Sequence, residues 1–225
     1  IIQGLAASDV ELGYDGNLYF ADYGGGWSVN KNGSIQVLRP ADPKLKEVGA
    51  ETARMFQKGF AHRSLPELAS FLDHPDQRVR QASQFAMVER ETDAIPAFSE
   101  IISADPQSEY AALHALWGLG QLYRQGMTEA ADAIVSSLSS EEPEIRANAA
   151  RVVGDSVITE GQSALLKLLQ DPSSRVVTLS AIALGRVAPK GDQVTVNALF
   201  AVAKLNQGKS FEPTIRHSLL SALDR

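Results

Sequence analysis

Five positions, Val79, Ala111, Ile145, Val176 and Ile215, follow one another at intervals of 32, 34, 31 and 39 residues, and each opens a segment with the same apolar register. Counting from each anchor, the fourth residue on is Ser83, Ala115, Ala149, Ser180 or Leu219. The seventh is Ala86, Gly118, Val152, Ala183 or Ala222, and the eighth is Met87, Leu119, Val153, Leu184 or Leu223. Offsets of four, seven and eight fall on one face of a 3.6-residue helix. Small side chains at the fourth and seventh positions let helices approach closely, and the larger eighth fills the core. A helix that returns at this interval with the same face cannot bury that face alone, so the copies must stack on one another as a solenoid.

Leu65 to Arg90 shows one complete unit. Its break, Asp73-His74-Pro75-Asp76, contains a proline that cannot continue a helix and carboxylates able to cap the next one, so a second helix is expected to open at Val79-Arg80. The ninth position after the anchor is Gly120, Gly154 and Gly185 in the three middle units. Glycine inside a helix costs about 1 kcal/mol against alanine, so its return at one register implies tight packing or a helix end. The residue after the anchor is Arg80, Arg146 and Arg216 in three units, and Asp73, Asp105 and Asp171 stand in the preceding turns. This pattern resembles the Asp–Arg ladder of HEAT repeats.

Composition suits such a fold: 44% of the 225 residues are hydrophobic, 21% are charged and only 7% are aromatic. A net charge of −6 argues against a nucleic-acid groove, which needs excess Lys and Arg on one face. No apolar run approaches the roughly 20 residues that span a bilayer, and no membrane insertion is expected. The absence of cysteine excludes disulfides, thiolate catalysis and covalent haem attachment within these residues. The opening IIQGLAASDVELG has neither an initiating Met nor a signal peptide, and the chain reads as an interior piece of a longer polypeptide.

The first forty residues follow a different period. Asp9–Leu12, Leu18–Asp22 and Ser34–Leu38 alternate as strands, and Asp15-Gly16 supplies the positive-φ chemistry of a tight hairpin. Residues 1–40 are therefore expected to form a β-meander resembling a terminal propeller blade. Pro40 and Pro43 mark a junction, residues 41–64 a linker helix, and residues 65–225 the solenoid of about five HEAT-like pairs.

Ser8 to Tyr23, with Gly26-Trp27 and Asn32 to Ile35, resembles the closing blade of a glucose/sorbosone dehydrogenase-type propeller. His74 to Arg90 is similar to the HEAT segment that follows that propeller in secreted or periplasmic, membrane-bound dehydrogenase-like, haem-binding proteins of planctomycetes and related bacteria. The resemblance implies the order propeller, HEAT array, cytochrome c domain with C-x-x-C-H. It implies haem c, and a quinone or calcium, in the parent, and a periplasmic or secreted location. The missing blades and the absent C-x-x-C-H place chemistry outside this chain, so no catalytic, cofactor-binding or metal-binding residue is carried over.

The candidate sites read accordingly. His62, His74, His114 and His217 include no pair at i, i+4 and no His-Glu dipeptide, so they read as structural. Asp9, Glu11, Asp15 and Asp22 could supply hard oxygen ligands to calcium, but turn and strand-end roles explain them more simply. There is no G-x-S-x-G, and Gly24-Gly25-Gly26-Trp27 lacks the helix and Lys-Ser/Thr of a phosphate loop. Trp27 reads as a plug between blade and solenoid or as part of a ligand wall. Phe85, Trp117, Arg151 and Ile182 recur at the sixth position after the anchor. They form either a partner-binding row, on the face where second helices line the concave side of a HEAT superhelix, or an internal packing row. The structural ladder is Asp73, Arg80, Arg146, Asp171 and Arg216. The leading functional expectation is a non-catalytic scaffold between propeller and cytochrome domains. The alternatives are a stand-alone protein- or peptide-binding module and part of an oxidoreductase completed by the missing propeller.

Overall fold

The computed structural model describes residues 7–24, 32–104, 108–207 and 212–224, so Trp27 and Asp105 lie outside the described residues. Three strands come first, β1 (Ala7–Leu12), β2 (Leu18–Asp22) and β3 (Ser34–Leu38). Eleven helices follow among the described residues: α1 (Pro43–Lys58), α2 (Leu65–Phe71), α3 (Gln77–Val88), α4 (Ala94–Ile102), α5 (Glu109–Arg124), α6 (Ala131–Ser136), α7 (Pro143–Ser156), α8 (Gln162–Leu168), α9 (Ser174–Val187), α10 (Gln193–Leu205) and α11 (Pro213–Leu223). From α2 onward they alternate as first and second helices of five pairs. The chain divides into two compact units, residues 1–62 with 75–79, and residues 63–74 with 80–225.

In the first unit the strands form an antiparallel meander in the order β1-β2-β3. Pairing of Val10 with Phe20, Leu12 with Leu18 and Leu18 with Leu38 puts these five apolar side chains on one face, where Val10, Leu12, Leu18 and Leu38 remain exposed. The β1–β2 turn is organised by Asp15, whose carboxylate accepts from the Asn17 N–H (3.1 Å), the Asn17 amide (2.6 Å) and the Tyr19 hydroxyl (2.8 Å). These bonds hold the Asp15 carboxyl below its usual range, the Asn17 backbone bond contributing most. Gly16, at φ +77°, lies against Gly49 of α1, where a β-carbon would stand 2.5 Å from the Asp15 carbonyl oxygen. Helix α1 thus belongs to the same unit as the meander. Asp42 caps it by accepting from the Lys44 N–H at 2.9 Å, Pro43 starts it, and Gly59 at φ +74° ends it. Tyr14 stacks on Phe56 at 4.1 Å, and the Arg78 guanidinium lies over the same Tyr14 ring, 5.1 Å from its centroid.

The second unit is the helical array, and its core follows the register expected of it. The fourth and seventh positions are buried in all five second helices, and the eighth in the first four. In α11, Ile215 and Leu223 are only half-buried. Helix α3 opens at Gln77, two residues before the expected Val79, because Asp76 accepts from the Arg78 N–H at 2.9 Å and so caps an earlier turn. Phe98, Leu116, Ile134, Ile145 and Leu165 are fully buried between first and second helices.

The recurring glycine resolves as close packing. A β-carbon on Gly120 of α5 would stand 2.7 Å from a Val152 methyl of α7, one on Gly154 of α7 2.8 Å from the Ala183 Cα of α9, and one on Gly185 of α9 2.7 Å from the Ala222 Cα of α11. Each ninth position therefore meets the seventh position of the next second helix. This offset explains why small residues recur at both.

Candidate functional site

The second helices carry the candidate residues, and the structure separates them into different surroundings. Trp117 of α5 is half-buried. Its indole N–H donates to the Asn148 side-chain oxygen of α7 at 3.3 Å, and its ring meets His114 edge-on at 5.0 Å between centroids. Asn148, itself buried, donates from its amide nitrogen to the Glu144 carbonyl at 2.9 Å. The indole is thereby fixed in direction by a side chain that is itself fixed.

Phe85 of α3 is 45% exposed and borders a shallow groove of about 490 Å3 with Val88, Glu89, Gln121, Arg124 and Gln125. Arg151 of α7 is exposed and bound 3.5 Å from Asp155, which also accepts from Arg186 of α9. Ile182 of α9 is half-buried. The row thus supplies one anchored aromatic, one exposed aromatic beside a polar groove, and an arginine engaged in a chain of charges.

Behind Trp117 runs a polar chain that sequence reading missed. The Arg80 guanidinium donates through Nε to His114 Nε2 at 3.3 Å and through Nη1 to the His74 carbonyl at 2.6 Å, and it lies 4.6 Å over the Tyr110 ring. Because Nε2 accepts, the proton of a neutral imidazole sits on Nδ1, which donates to the Gln84 oxygen at 2.7 Å. The Gln84 amide then donates to Gln121 at 3.3 Å. Burial and the Arg80 charge both oppose an imidazolium here, and the His114 pKa falls from 6.5 to about 4. His114 is therefore a neutral relay in a one-directional chain that joins α3 to α5. A signal for it was present at one member: Gln84 is a polar residue at the fifth position after its anchor, where the other repeats place Leu116, Ala150, Ala181 and Leu220.

The ladder residues also take distinct roles. Arg146 of α7 grips Asp171 in the turn before α9, through Nε at 2.7 Å and Nη2 at 3.1 Å, and its Nη1 reaches the Ser140 and Glu141 carbonyls. Burial alone would raise the Asp171 pKa, but the Arg146 hydrogen bond, the Ser173 N–H and the Arg146 charge outweigh it and hold the carboxyl low. Asp73 accepts from the Ser108 hydroxyl at the start of α5, so its bond to the next repeat runs through a serine. Arg80 serves the His114 chain, and exposed Arg216 lines a groove between α10 and α11.

Among the described residues no three His, Cys, Asp or Glu side chains gather as a metal-ligand group. Asp9 accepts from the Val10 N–H within β1 and Asp22 from the Gly24 N–H just after β2, both local bonds. No helix of the described residues is long and apolar enough to cross a membrane.

Comparison with known proteins agrees with this architecture. The complex of CpcE and CpcF of phycocyanin lyase from a Nostoc species is similar at a TM-score of 0.55 with 17% identity, over 70% of this chain and 96% of the other. A designed armadillo repeat protein in complex with a (KR)4 peptide gives a TM-score of 0.49 with 15% identity, over 82% of this chain and 94% of that one. No curated protein matches the sequence. A family model described as HEAT repeats matches residues 95–182 and again 131–223. With more than half its length matched, and with helix pairs stacked ninth position to seventh, this chain belongs to the HEAT-repeat family.

Proposed function

We propose that this chain is a non-catalytic protein-interaction scaffold whose partner docks on the second-helix face around Trp117. The observation that carries the reading is the state of that indole, half-open to solvent yet held by Asn148 and His114. An aromatic anchor already fixed in place loses little freedom on binding, and Trp is among the residues that dominate interface energetics. One of the similar solved structures is itself a complex, of CpcE and CpcF, in keeping with this role.

On the sequence resemblance, the scaffold holds a sugar-dehydrogenase-type propeller and a cytochrome c domain together in a periplasmic electron-transfer protein. The exposed apolar face of the meander supports this finer reading, since a blade-like sheet with Val10, Leu12, Leu18 and Leu38 open has surface for a further sheet to cover.

The test is hydrogen exchange of the 225-residue chain alone and with isolated propeller and cytochrome c domains of a resembling protein. Protection across residues 113–121 and 148–155 is expected. It should be lost in Trp117→Ala while the melting temperature holds. Collapse of the fold in Trp117→Ala assigns the indole to the core and removes the reading's support, and dehydrogenase turnover by this chain with an artificial electron acceptor overturns its non-catalytic character.

A further inference from the structure

The second helices α3, α5, α7 and α9 contain seven arginines and no lysine, whereas Lys167 lies on α8 and Lys204 on α10, both first helices. Arginine is the cation suited to a planar, two-point grip on a carboxylate, and with tryptophan it is enriched among interface anchors. Four of the seven are committed to partners within the chain: Arg78 to Asp76, Arg80 to His114, Arg146 to Asp171 and Arg175 to Glu144.

The other three, Arg124, Arg151 and Arg186, stand on the face that carries Phe85 and Trp117. Arg151 holds the same register position as the two aromatics, Arg124 lies seven residues along α5 from Trp117, and Arg186 lies four beyond Ile182. Offsets of four and seven keep to one helix face. The charge of these arginines is only partly met. Arg124 donates to the Ser156 hydroxyl at 3.1 Å, an uncharged partner, and Arg151 and Arg186 share the single carboxylate of Asp155. Glu89, in the Phe85 groove, is the second acid of this face. Three guanidinium groups thus stand against two carboxylates, on a chain whose net charge is −6.

The opposite sign collects on the first-helix side. Between α4 and α6, Glu129, Asp132, Glu141 and Glu142 line a groove of about 920 Å3 that has no Lys or Arg among its lining residues. An acidic segment approaching the array is repelled there and drawn to the arginines, which decides the side on which it lands. On that side the half-open Trp117 and the exposed Phe85 give the same segment apolar surface to cover.

We propose that the second-helix face receives an extended acidic segment of a partner protein, with an apolar side chain against the Trp117 indole and carboxylates on Arg124, Arg151 and Arg186. This rests on the docking face proposed above and names the chemistry of what docks there. Neighbouring packed helices lie about 8–10 Å apart, and three residues of extended chain span about 10 Å. Carboxylates at three-residue intervals therefore meet successive repeats.

The test is fluorescence anisotropy of the 225-residue chain with a labelled peptide that has a central leucine and glutamates at the third and sixth positions to either side, and with its lysine counterpart. The glutamate peptide is expected to bind, less tightly as salt rises, and the lysine peptide to bind roughly tenfold more weakly. Arg151→Glu should raise the dissociation constant of the glutamate peptide roughly tenfold. Asp155→Asn, which releases Arg151 and Arg186 from their shared carboxylate, should lower it roughly threefold. Arg151 and Asp155 are exposed, so melting temperatures should hold, and Lys167→Glu on the first-helix side should change nothing. Absence of glutamate-peptide binding overturns the proposal, as does equal or tighter binding of the lysine peptide or of an oligothymidylate of the same charge. Binding indifferent to both Arg151→Glu and Asp155→Asn overturns it too, because the contact then lies elsewhere. Protection of residues 113–121 by a propeller or cytochrome c domain without glutamate-peptide binding keeps the docking face and removes the acidic segment. Peptide binding without that protection keeps the acidic segment and removes those domains as its source.

Discussion

Gly154 of α7 lies so close to Ala183 of α9 that a β-carbon on the glycine would stand 2.8 Å from the alanine Cα and 2.9 Å from its Cβ. Backbone thus meets backbone at this junction, and neither partner can turn aside. Gly154→Ala gains about 1 kcal/mol in helix propensity but incurs an overpacking cost of about 1–3 kcal/mol, and the rigid neighbour puts the cost at the upper end. A net loss of about 1–2 kcal/mol is expected in urea unfolding. Gly120→Ala should be milder, because its β-carbon meets a Val152 methyl, the end of a side chain. Equal losses at the two sites would contradict this account.

The buried His114 makes stability depend on pH. Its folded pKa of about 4 lies below the unfolded 6.5, so between these values the unfolded chain takes up a proton that the folded chain refuses. Stability is full above about pH 6.5 and falls as the pH drops towards 4, by up to about 3 kcal/mol from this group. Urea midpoints measured from pH 7.5 to 4.5 should show the slope, and His114→Gln should flatten it. A variant as pH-sensitive as the wild type would rule His114 out as the source.

Arg146 and Asp171 should behave as a coupled pair. Asp171 has only 5% of its side chain exposed, so Arg146→Ala strands a carboxylate, with an expected loss of about 2–4 kcal/mol. Asp171→Ala also removes the bond to the Ser173 N–H. The double variant should lose clearly less than the two single losses together, with a coupling of about 1–3 kcal/mol. Because the Asp171 pKa is depressed, its contribution is present above the ordinary carboxylate range and disappears as the pH falls below about 4. That window is distinct from the His114 window.

The hairpin should be lost through α1. In Gly49→Ala the new methyl would meet the Asp15 carbonyl oxygen at 2.5 Å and the Gly16 Cα at 3.0 Å, both backbone atoms. Amide exchange across residues 7–22 should accelerate at least tenfold, and the Tyr14–Phe56 stack should open. Unchanged protection of β1 and β2 would show that the turn does not depend on this contact.

The helical pairs, the three strands and the buried register of the second helices were legible because each is a local pattern: offsets of four, seven and eight identify a helix face without reference to any neighbour. The same holds for the hairpin, where Asp15-Gly16 carries its own turn chemistry. The start of α3 was misplaced by two residues because the capping bond from Asp76, rather than the first buried residue, decides where a helix opens.

The order of residues therefore determined a HEAT-type stack and its glycine positions. Only the tertiary structure decided what each polar residue does: that Asp73 turns to Ser108, that Arg80 feeds a neutral His114, and that Trp117 is held by Asn148. Those outcomes depend on the axial offset between successive helices, which aligns the ninth position of one with the seventh of the next. Periodicity names the face that packs, but the offset is set by how whole side chains interlock across the junction, and that information lies in neither helix alone.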